Sequence, residues 1–320
     1  MPISSFADFI PVMDEFREHW LNLSETVTLN ENETAFDVGD FGSLRGELDG
    51  VKTTLQTHLN DWEVARVTLD QIRITAGDRV AEFNRRIRAD FPNNKLFNQL
   101  PPVPNRTAGR EAFISAMDDV LDLWNRVNAQ PVTPVFTAPL LLRGDLTRAQ
   151  FATLRAQVDG AFTTRSDTGR SVAATRLQRN AIQDRAMALM KLYRMKIEAL
   201  YAENSVEVLT LPRLSPLPGH TPDPVDLSGT YDPVDARAEL TWTESTDPEL
   251  ASYQLRSVPG PDYTADDEST LITIPAGGAL TYNSSAGFGI PGSAVSYKVY
   301  VRLTTGNEAG SDAVTVTRPV

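Results

Sequence analysis

The stretch FISAMDDVLDLW at residues 113–124 repeats a stretch found far upstream, FIPVMDEFREHW at residues 9–20. Phenylalanine, isoleucine, methionine, aspartate and tryptophan recur at the same places in both, with residue numbers shifted by 104. In each copy the apolar side chains fall three or four residues apart, which is the spacing of one face of an α-helix. The repeated stretch therefore predicts an amphipathic helix that occurs twice.

Two further echoes follow in the same order. FGSLRGELDG at residues 41–50 returns as FATLRAQVDG at 151–160, with a shift of 110, and proline-rich PPVPNRT is echoed downstream by SPLPGHT. Three ordered echoes predict an internal duplication, with residues 1–107 as one helical module and residues 108–221 as a second. We expect the two modules to pack together as one bundle with approximate two-fold symmetry.

Apolar residues continue at helical spacing through residues 41–91 and again through 151–201. This pattern fits either one long helix or two collinear helices in each module. Gly169 disfavours continuity in the second, because glycine costs about 1 kcal/mol inside a helix. Asp40 and Thr147 are the predicted N-caps of these long segments.

The first helix of each module is connected to the long segment by TVTLNENETAFDVGD or by PVTPVFTAPLLLRGD. Prolines at 131, 134 and 139 exclude a helix from the second connector. The runs TVTLN and LLLR are typical of short strands. If the modules face each other across a pseudo-dyad, we expect these strands to pair with one another.

After a linker whose prolines predict a stiff, extended segment, the apolar period changes from helical to two. RAELTWT places Ala238, Leu240 and Trp242 on one face, and YKVYVRL alternates in the same way. Turn signals such as TDPEL, VPGPD and GIPGS separate these runs. About seven short strands in roughly 100 residues predict an antiparallel β-sandwich over residues 222–320.

The same residues resemble a fibronectin type III domain. Three segments are similar to strands B, C, F and G of that family. They are the strand that contains Trp242, DPELASYQL at 247–255, and SYKVYVRLTTGNEAGSDAVTVT at 296–317. The resemblance covers residues 225–320 and implies that Trp242 and Tyr297 are core positions. The long middle stretch departs from the family's pattern, which leaves the strand register there open. The helical two-thirds is similar to uncharacterised bacterial proteins with a duplicated helical region, a resemblance that implies no function.

Composition narrows the function classes. The formal net charge of −12 argues against nucleic acid, because phosphate binding needs clustered lysine and arginine. No apolar run approaches the roughly 18 residues of a membrane helix, and the start lacks a standard secretion signal. We therefore expect a soluble chain, either cytoplasmic or part of a particle or exported assembly. The absence of cysteine excludes disulfides and thiolate metal sites.

No catalytic, cofactor-binding or metal-ligating residues are predicted. The only histidines are His19, His58 and His220, none with the spacing of a known metal motif, and the first two have no counterparts in the second module. Walker, dinucleotide-binding and G-x-S-x-G motifs are missing. The acidic runs at 30–33 and 265–269 lack the spacing of a calcium loop, and we interpret them as solvated loops.

Two further features invite a binding interpretation that we do not favour. Trp20 and Trp124 lie on the apolar faces of their helices, so we predict core packing over a paired binding pocket. Arg143, Gly144 and Asp145 spell the tripeptide read by integrins, but glycine and aspartate shortly before LTRAQF are ordinary residues for entering a helix.

The leading hypothesis is a non-enzymatic structural or interaction protein, a helical assembly scaffold that displays a β-sandwich. It would assemble with itself or with a protein partner, as in a bacterial or phage-like particle or a surface assembly. The alternative is a ligand- or glycan-binding module that holds its ligand between the two helical modules or on sandwich loops that carry Tyr263, Tyr282 and Phe288. A third class is a carboxylate-based hydrolase, since two carboxylates roughly 5–10 Å apart suffice for glycoside hydrolysis.

Overall fold

The computed structural model describes residue 3 and residues 8–92, 95–131 and 136–320. A long helical region is followed by an antiparallel β-sheet region, as the sequence predicted in outline. The chain divides into two compact units, which we call the contiguous unit, residues 64–170, and the discontinuous unit, residues 1–63 with 171–320. The module boundaries at 107 and 221 follow a sequence repeat and remain a prediction.

Two short and two long helices make up most of the described helical region. The repeated stretches lie in α1, Phe9–Leu21, and α3, Arg110–Asn128. The long segments form α2, Val38–Asp90, and α4, Arg148–Leu200, each a single helix of 53 residues, and Gly169 lies inside α4 without interrupting it. Length alone does not make a membrane span, and none of the described helices is apolar enough over its length to cross a bilayer.

Both long helices begin with reciprocal side-chain caps. The Asp37 carboxylate accepts hydrogen bonds from the backbone N–H groups of Gly39 and Asp40 at 2.7 and 3.0 Å, and Asp40 accepts from the N–H of Asp37 at 3.0 Å. The N-cap of α2 is thus Asp37, and the prediction of Asp40 was wrong by three residues. Thr147 is confirmed for α4, where it exchanges the equivalent bonds with Gln150 at 3.2 and 2.8 Å.

The two connectors make local β-structure. In the first, strands β1, Leu29–Glu31, and β2, Thr34–Phe36, form an antiparallel hairpin. In the second, Leu142 and Leu146 form an isolated antiparallel bridge. Among the described residues each connector pairs within itself, so the predicted pairing of one connector with the other is wrong. Pro134 lies outside the described residues, and the described part of its connector contains no helix.

In the discontinuous unit, one core lies between α1, the β1–β2 hairpin, the start of α2 and the end of α4. Trp20 lies at its centre, with ring centroids 6.0 Å from Phe41 and 4.5 Å from Tyr193. The indole Nε1 donates to the carbonyl of Val27 at 3.0 Å. The core therefore joins segments that lie about 150 residues apart in the sequence.

In the contiguous unit, Trp124 makes the corresponding contacts. Its ring lies 5.8 Å from Phe151 and 5.2 Å from Phe83, and Nε1 donates to the carbonyl of Leu140 at 3.2 Å. Phe83 stands 110 residues before the tyrosine that contacts the other tryptophan. Both tryptophans are buried, which confirms the prediction that they are core residues.

The β-sheet region contains strands β3–β10 in two antiparallel sheets. Their bounds are β3 Leu227–Asp232, β4 Arg237–Trp242, β5 Leu250–Pro259, β6 Ser269–Pro275, β7 Thr281–Ser284, β8 Ala294–Leu303, β9 Glu308–Gly310 and β10 Val314–Thr317. One sheet has the order β3-β4-β7. The other has the order β10-β8-β5-β6, with β9 also paired to β8.

Side chains from both sheets form one core. Ala238, Leu240 and Trp242 alternate on one face of β4, as predicted, and are buried together with Tyr297 and Val299 of β8. Trp242 is 6% exposed and Tyr297 is fully buried, so both are core positions as expected.

The proline-rich linker before β3 has no regular secondary structure. Its Leu217 N–H donates to the carbonyl of Thr305 at 3.0 Å, and the Asn307 side chain donates to the Leu217 carbonyl at 3.1 Å. The linker is thus fastened to the turn between β8 and β9.

Candidate functional site

A dense group of buried charges lies in the discontinuous unit, on the face of the five-stranded sheet that points away from the β core. Side chains alternate along a strand, so the neighbours of the core residues on β5 and β8 point to the opposite face. There the sheet carries Arg256 and Arg302, which are 0% and 4% exposed. Burial of two guanidinium groups requires carboxylate partners, which come from the sheet and from the helical segments.

Arg256 is the centre of the part of this network that belongs to the sheet. It donates to Glu268 at 2.7 Å, to Glu308 at 2.8 and 3.1 Å, and to the Gln254 side chain at 2.6 Å. Its guanidinium also stacks 3.9 Å from the ring centroid of Tyr300. Burial alone would lower the pKa of Arg256, but the two carboxylates outweigh it and raise the pKa overall.

Two phenols complete the coordination of Glu268. The hydroxyls of Tyr263 and Tyr300 donate to the same carboxylate oxygen at 2.6 and 3.0 Å. Burial raises the pKa of Tyr263, and it raises the pKa of Tyr300 to about 12, so both remain protonated donors at neutral pH. Tyr263 therefore anchors a buried carboxylate, which does not support its predicted alternative role as a glycan-stacking aromatic.

A short acidic turn, residues 265–269, joins the sheet region to α4 and α2. Asp267, 2% exposed, makes a bidentate ion pair with Arg176, with Nε at 2.9 Å, and lies 3.5 Å from Nη1 of Arg179. Arg179 also donates to the carbonyl of Asp266, and Gln56 of α2 donates to the carbonyl of Asp267 at 3.1 Å. The interpretation of 265–269 as a solvated loop is therefore wrong for its central residues, which are buried against the helices.

Further contacts join the same sheet face to other helical segments. Asp8, immediately before α1, lies 3.0 Å from Arg302 with both side chains buried. Glu63 of α2 accepts a hydrogen bond from the N–H of Ala294 at 3.0 Å. Burial lowers the pKa of Lys52, with the charge of Arg179 acting in the same direction.

The network is balanced in charge. Its carboxylates belong to Asp8, Asp267, Glu268 and Glu308, and its guanidinium groups to Arg176, Arg179, Arg256 and Arg302. Each carboxylate is held by at least one guanidinium, which leaves the carboxylates engaged in structure. Because buried charges are costly unless they are paired, the network favours the orientation of the sheet face on the helices in which these ion pairs form.

A cleft of about 470 Å³ opens elsewhere in the discontinuous unit, lined in part by Glu15, Glu18, His19 and Glu207. Nε2 of His19 lies 2.8 Å from the Glu207 carbonyl, and Nδ1 lies 2.7 Å from the Tyr193 hydroxyl. A carbonyl can only accept, so in the neutral ring Nε2 is the donor and Nδ1 accepts from the tyrosine. Both ring nitrogens are engaged, which leaves His19 without a free nitrogen to act as a base.

The other histidines also have local partners. Nδ1 of His58 lies 2.9 Å from the hydroxyl of Thr175. His220 is exposed, and its Nε2 lies 2.6 Å from a carboxylate oxygen of Asp247, a hydrogen bond that raises the pKa of His220. Across the described residues, no group of three or more histidine, aspartate and glutamate side chains could hold a metal ion.

The Arg-Gly-Asp tripeptide forms a tight turn in the contiguous unit. Gly144 and Asp145 have φ angles of +76° and +58°, and the turn closes the bridge between Leu142 and Leu146. Thr147 then caps α4. The Gly-Asp pair therefore forms the turn that leads into α4, and the N-cap itself is Thr147.

The other acidic run and the remaining loop aromatics also have structural roles. Glu31 pairs with Arg185 through two contacts of 2.7 Å, and this hydrogen bonding lowers the pKa of Glu31. Phe288 is buried with its ring 5.3 Å from that of Tyr231, and Tyr282 is partly buried against the β core. The alternative of a loop-borne aromatic platform for glycans gains no support from these positions.

Sequence reasoning missed the charge network, although two signals for it exist. Arg176 and Arg179 are three residues apart and so share one face of α4. Arg256 and Arg302 occupy outward positions of strands whose inward positions are mainly aliphatic or aromatic. Two arginines on one helix face and two on one sheet face could have indicated that carboxylates pack against both faces.

Comparison with known proteins yields no family. No family model matches the chain, and no curated protein matches it. Solved structures match part of the chain. Pectate lyase PelI from Erwinia chrysanthemi in complex with tetragalacturonic acid matches with 17% identity and a TM-score of 0.25. An Fn3-like protein from Clostridium thermocellum matches with 24% identity, and the spore cortex lytic enzyme SleM of Clostridium perfringens with 17% identity, both with a TM-score of 0.24. These matches cover 29%, 32% and 36% of this chain, and 28%, 97% and 31% of those chains. Thus only about 30% of the length of the lyase and of the lytic enzyme is spanned, and scores this low assign neither fold nor activity.

Proposed function

We propose that the chain is a non-enzymatic structural or interaction protein, in which a helical scaffold holds a fibronectin type III-like sandwich in one fixed orientation. The observation that carries the proposal is the buried, charge-balanced network between the sheet face and the helical segments. A flexibly tethered domain would bury little surface against its neighbour, whereas a domain held at a set angle has a packed interface such as this one. A place in a bacterial or phage-like particle or a surface assembly fits this design.

The strand arrangement supports the fibronectin type III-like part of the proposal. The strands that resemble B, C, F and G correspond to β4, β5, β8 and β10. The B-like strand belongs to one sheet and the C-, F- and G-like strands to the other, which is the distribution expected for immunoglobulin-like sandwiches. We assign this sandwich to residues 222–320.

Matching contacts support the duplication of the helical module. Arg45 binds Asp14 through two contacts of 2.9 and 3.0 Å, and Arg155 binds Asp118 through two of 2.9 Å. The arginines are related by the shift of 110 and the aspartates by the shift of 104, as are the flanking sequences. A shared origin of residues 1–107 and 108–221 accounts for this agreement, and for the equal lengths of α2 and α4.

The chemistry of the described polar groups supports a non-enzymatic role. The carboxylates of the network are bound to guanidinium groups and buried, and the histidine in the cleft has both nitrogens engaged. Glycosidic bond cleavage would need a pair of carboxylates open to substrate. Turnover of a polysaccharide by the full chain, lost on replacing two carboxylates, would overturn this part of the proposal.

Double electron–electron resonance tests the fixed orientation, and the absence of native cysteine makes specific labelling simple. Labels at Ser43→Cys in α2 and Ser285→Cys in the β7–β8 loop report on the distance between the helices and the sandwich. A control pair at Ser285→Cys and Thr230→Cys lies wholly within the sandwich. We expect equally narrow distance distributions for the two pairs. A distribution several times broader for the first pair would contradict a fixed orientation.

A further inference from the structure

The two compact units carry opposite net charges. The contiguous unit has 15 basic and 11 acidic residues, a net charge of +4, and the discontinuous unit has 15 basic and 31 acidic residues, a net charge of −16. Together they give the −12 of the whole chain. The acidic overall composition therefore conceals a basic unit, and a chain with this division is electrostatically complementary to other copies of itself.

The basic unit contains an arginine-lined hollow of about 420 Å³. Its described lining consists of Arg110, Phe162, Thr163, Arg165, Ser166 and Arg170, with no carboxylate. The side chains of Arg110 and Arg170 are 56% and 75% exposed although each contacts one neighbouring aspartate. Arg165 takes part in none of the ion pairs found in the described residues. Donors thus remain available around the hollow.

The face of α4 that carries this hollow corresponds to a face of α2 in the first module. With the shift of 110, Phe162 and Ser166 correspond to Lys52 and Gln56 on α2. That face of α2 is covered by the acidic turn of the β-sheet region, since Gln56 donates to the Asp267 carbonyl. The same face of the second module is therefore open where the first is occupied, and it presents more arginine.

We propose that the arginine-lined hollow binds the acidic discontinuous unit of a second copy of this chain. The contact joins different surfaces of the two copies, so it is heterologous and can propagate into a ring or a filament. Guanidinium groups favour carboxylates because they donate paired hydrogen bonds. This inference rests on the proposed structural role and supplies its partner, and it uses the module duplication to identify the open face.

A second copy is favoured over other anions because the acidic surface is already present on the chain. Residues 211–320 alone carry 14 acids and 6 bases. A polyanion such as duplex DNA would also be attracted by the arginines, so the experiment below includes a duplex DNA probe.

Sedimentation velocity of the full chain over a concentration series, at low and high ionic strength, measures the contact. We expect concentration-dependent association at low ionic strength, weakened about tenfold or more by salt, since exposed charges are screened. The double variant R165E/R170E is expected to raise the dissociation constant about tenfold or more. R85E/R106E is the matched control, because it reverses the same number of charges on two exposed arginines of the same unit that do not line the hollow. Each variant is first checked for an unchanged circular dichroism melt.

A chain that stays monomeric at low ionic strength overturns the proposal, and so does association that R165E/R170E and R85E/R106E weaken equally. If R165E/R170E abolishes binding to a duplex DNA probe but leaves self-association unchanged, the hollow is a nucleic-acid site and the proposal also fails. None of these results alters the distance distribution between the helices and the sandwich. Failure of self-association is thus distinguishable from failure of the fixed orientation.

Discussion

Replacing Asp267 with asparagine keeps the shape of the side chain but removes the charge that joins the sheet region to α4. Arg179, whose side chain is 3% exposed, then loses the Asp267 carboxylate and keeps its hydrogen bonds to the Asp266 carbonyl and the Asn180 amide oxygen. Removing one partner of a buried ion pair costs about 3–5 kcal/mol. Arg176 is 40% exposed and is resolvated, so its share stays below about 1 kcal/mol.

We therefore expect a loss of about 3 kcal/mol, which corresponds to a roughly 150-fold shift in the equilibrium between attached and detached states. Native-state hydrogen exchange of the full chain, followed by mass spectrometry, reports this opening directly. Peptides that contain 265–268 or the α4 segment around 176–179 should exchange up to about 150-fold faster. Peptides from the contiguous unit should be unaffected.

The control is Asp262→Asn, an exposed residue of the same loop, which should change the free energy of opening by no more than about 0.5 kcal/mol. Combining Asp267→Asn with Arg179→Leu removes both charges and installs the residue found at the corresponding position, Leu69. This double variant should recover more than half of the loss. If Asp267→Asn accelerates exchange no more than Asp262→Asn does, the buried charge does not hold the sheet region and the reasoning is refuted.

Three further predictions concern single contacts. His19→Leu should lower the free energy of unfolding by about 1–3 kcal/mol in urea, because the buried Tyr193 hydroxyl loses its partner, and adding Tyr193→Phe should restore most of it. In NMR titrations His220 should have a pKa above 6.5, which should fall toward the ordinary value in Asp247→Asn. Because the folded pKa is raised, the pair should stabilise fully below pH 6.5 and lose this effect as pH rises through the folded pKa. Gly229→Ala should lower the melting temperature, costing about 1–3 kcal/mol, because its Cβ would lie 2.7 Å from a methyl group of Leu240, and an unchanged melt would contradict this.

The helices were predictable from the sequence because their apolar period is long and occurs twice. A repeat of Phe9 and Trp20 at matching distances can be seen without any knowledge of tertiary contacts. The N-cap of α2 was misplaced because Asp37 and Asp40 occupy the two reciprocal places of one capping arrangement. The pattern of an acid three residues before another acid favours the earlier one, and that rule would have corrected the choice.

The charge network was not predictable by local patterns. Asp267 lies in an acidic run that reads as solvated, and its partners Arg176 and Arg179 are about 90 residues away. Outward positions on the strands of an antiparallel sheet are commonly exposed to solvent. The position of Arg256 in its strand therefore does not indicate that another part of the chain covers it. Burial of this kind is decided by how distant elements pack, which composition and period do not encode.

The pairing of the connectors failed for a related reason. Positive φ angles at Asn32 and Glu33 let the chain reverse its direction between β1 and β2 within two residues. A hairpin closed by such a short turn costs little chain entropy, whereas pairing with a connector about 100 residues away costs more. The local solution therefore prevails, and the sequence signal for it was the Asn-Glu pair between two β-prone runs.

The division of the chain also orders its synthesis. Residues 64–170 emerge from the ribosome as one block that can fold at once, while residues 1–63 must wait for the segment from 171 onward. At roughly 5–20 residues per second, the part of the α1 face that packs on residues 186–197 stays uncovered for roughly 7–28 s while the chain between residues 48 and 186 is made. During that interval the nascent chain presents a natural substrate for a holdase chaperone. When translation is slow, we therefore expect nascent chains to aggregate through their N-terminal segment and not through their sandwich.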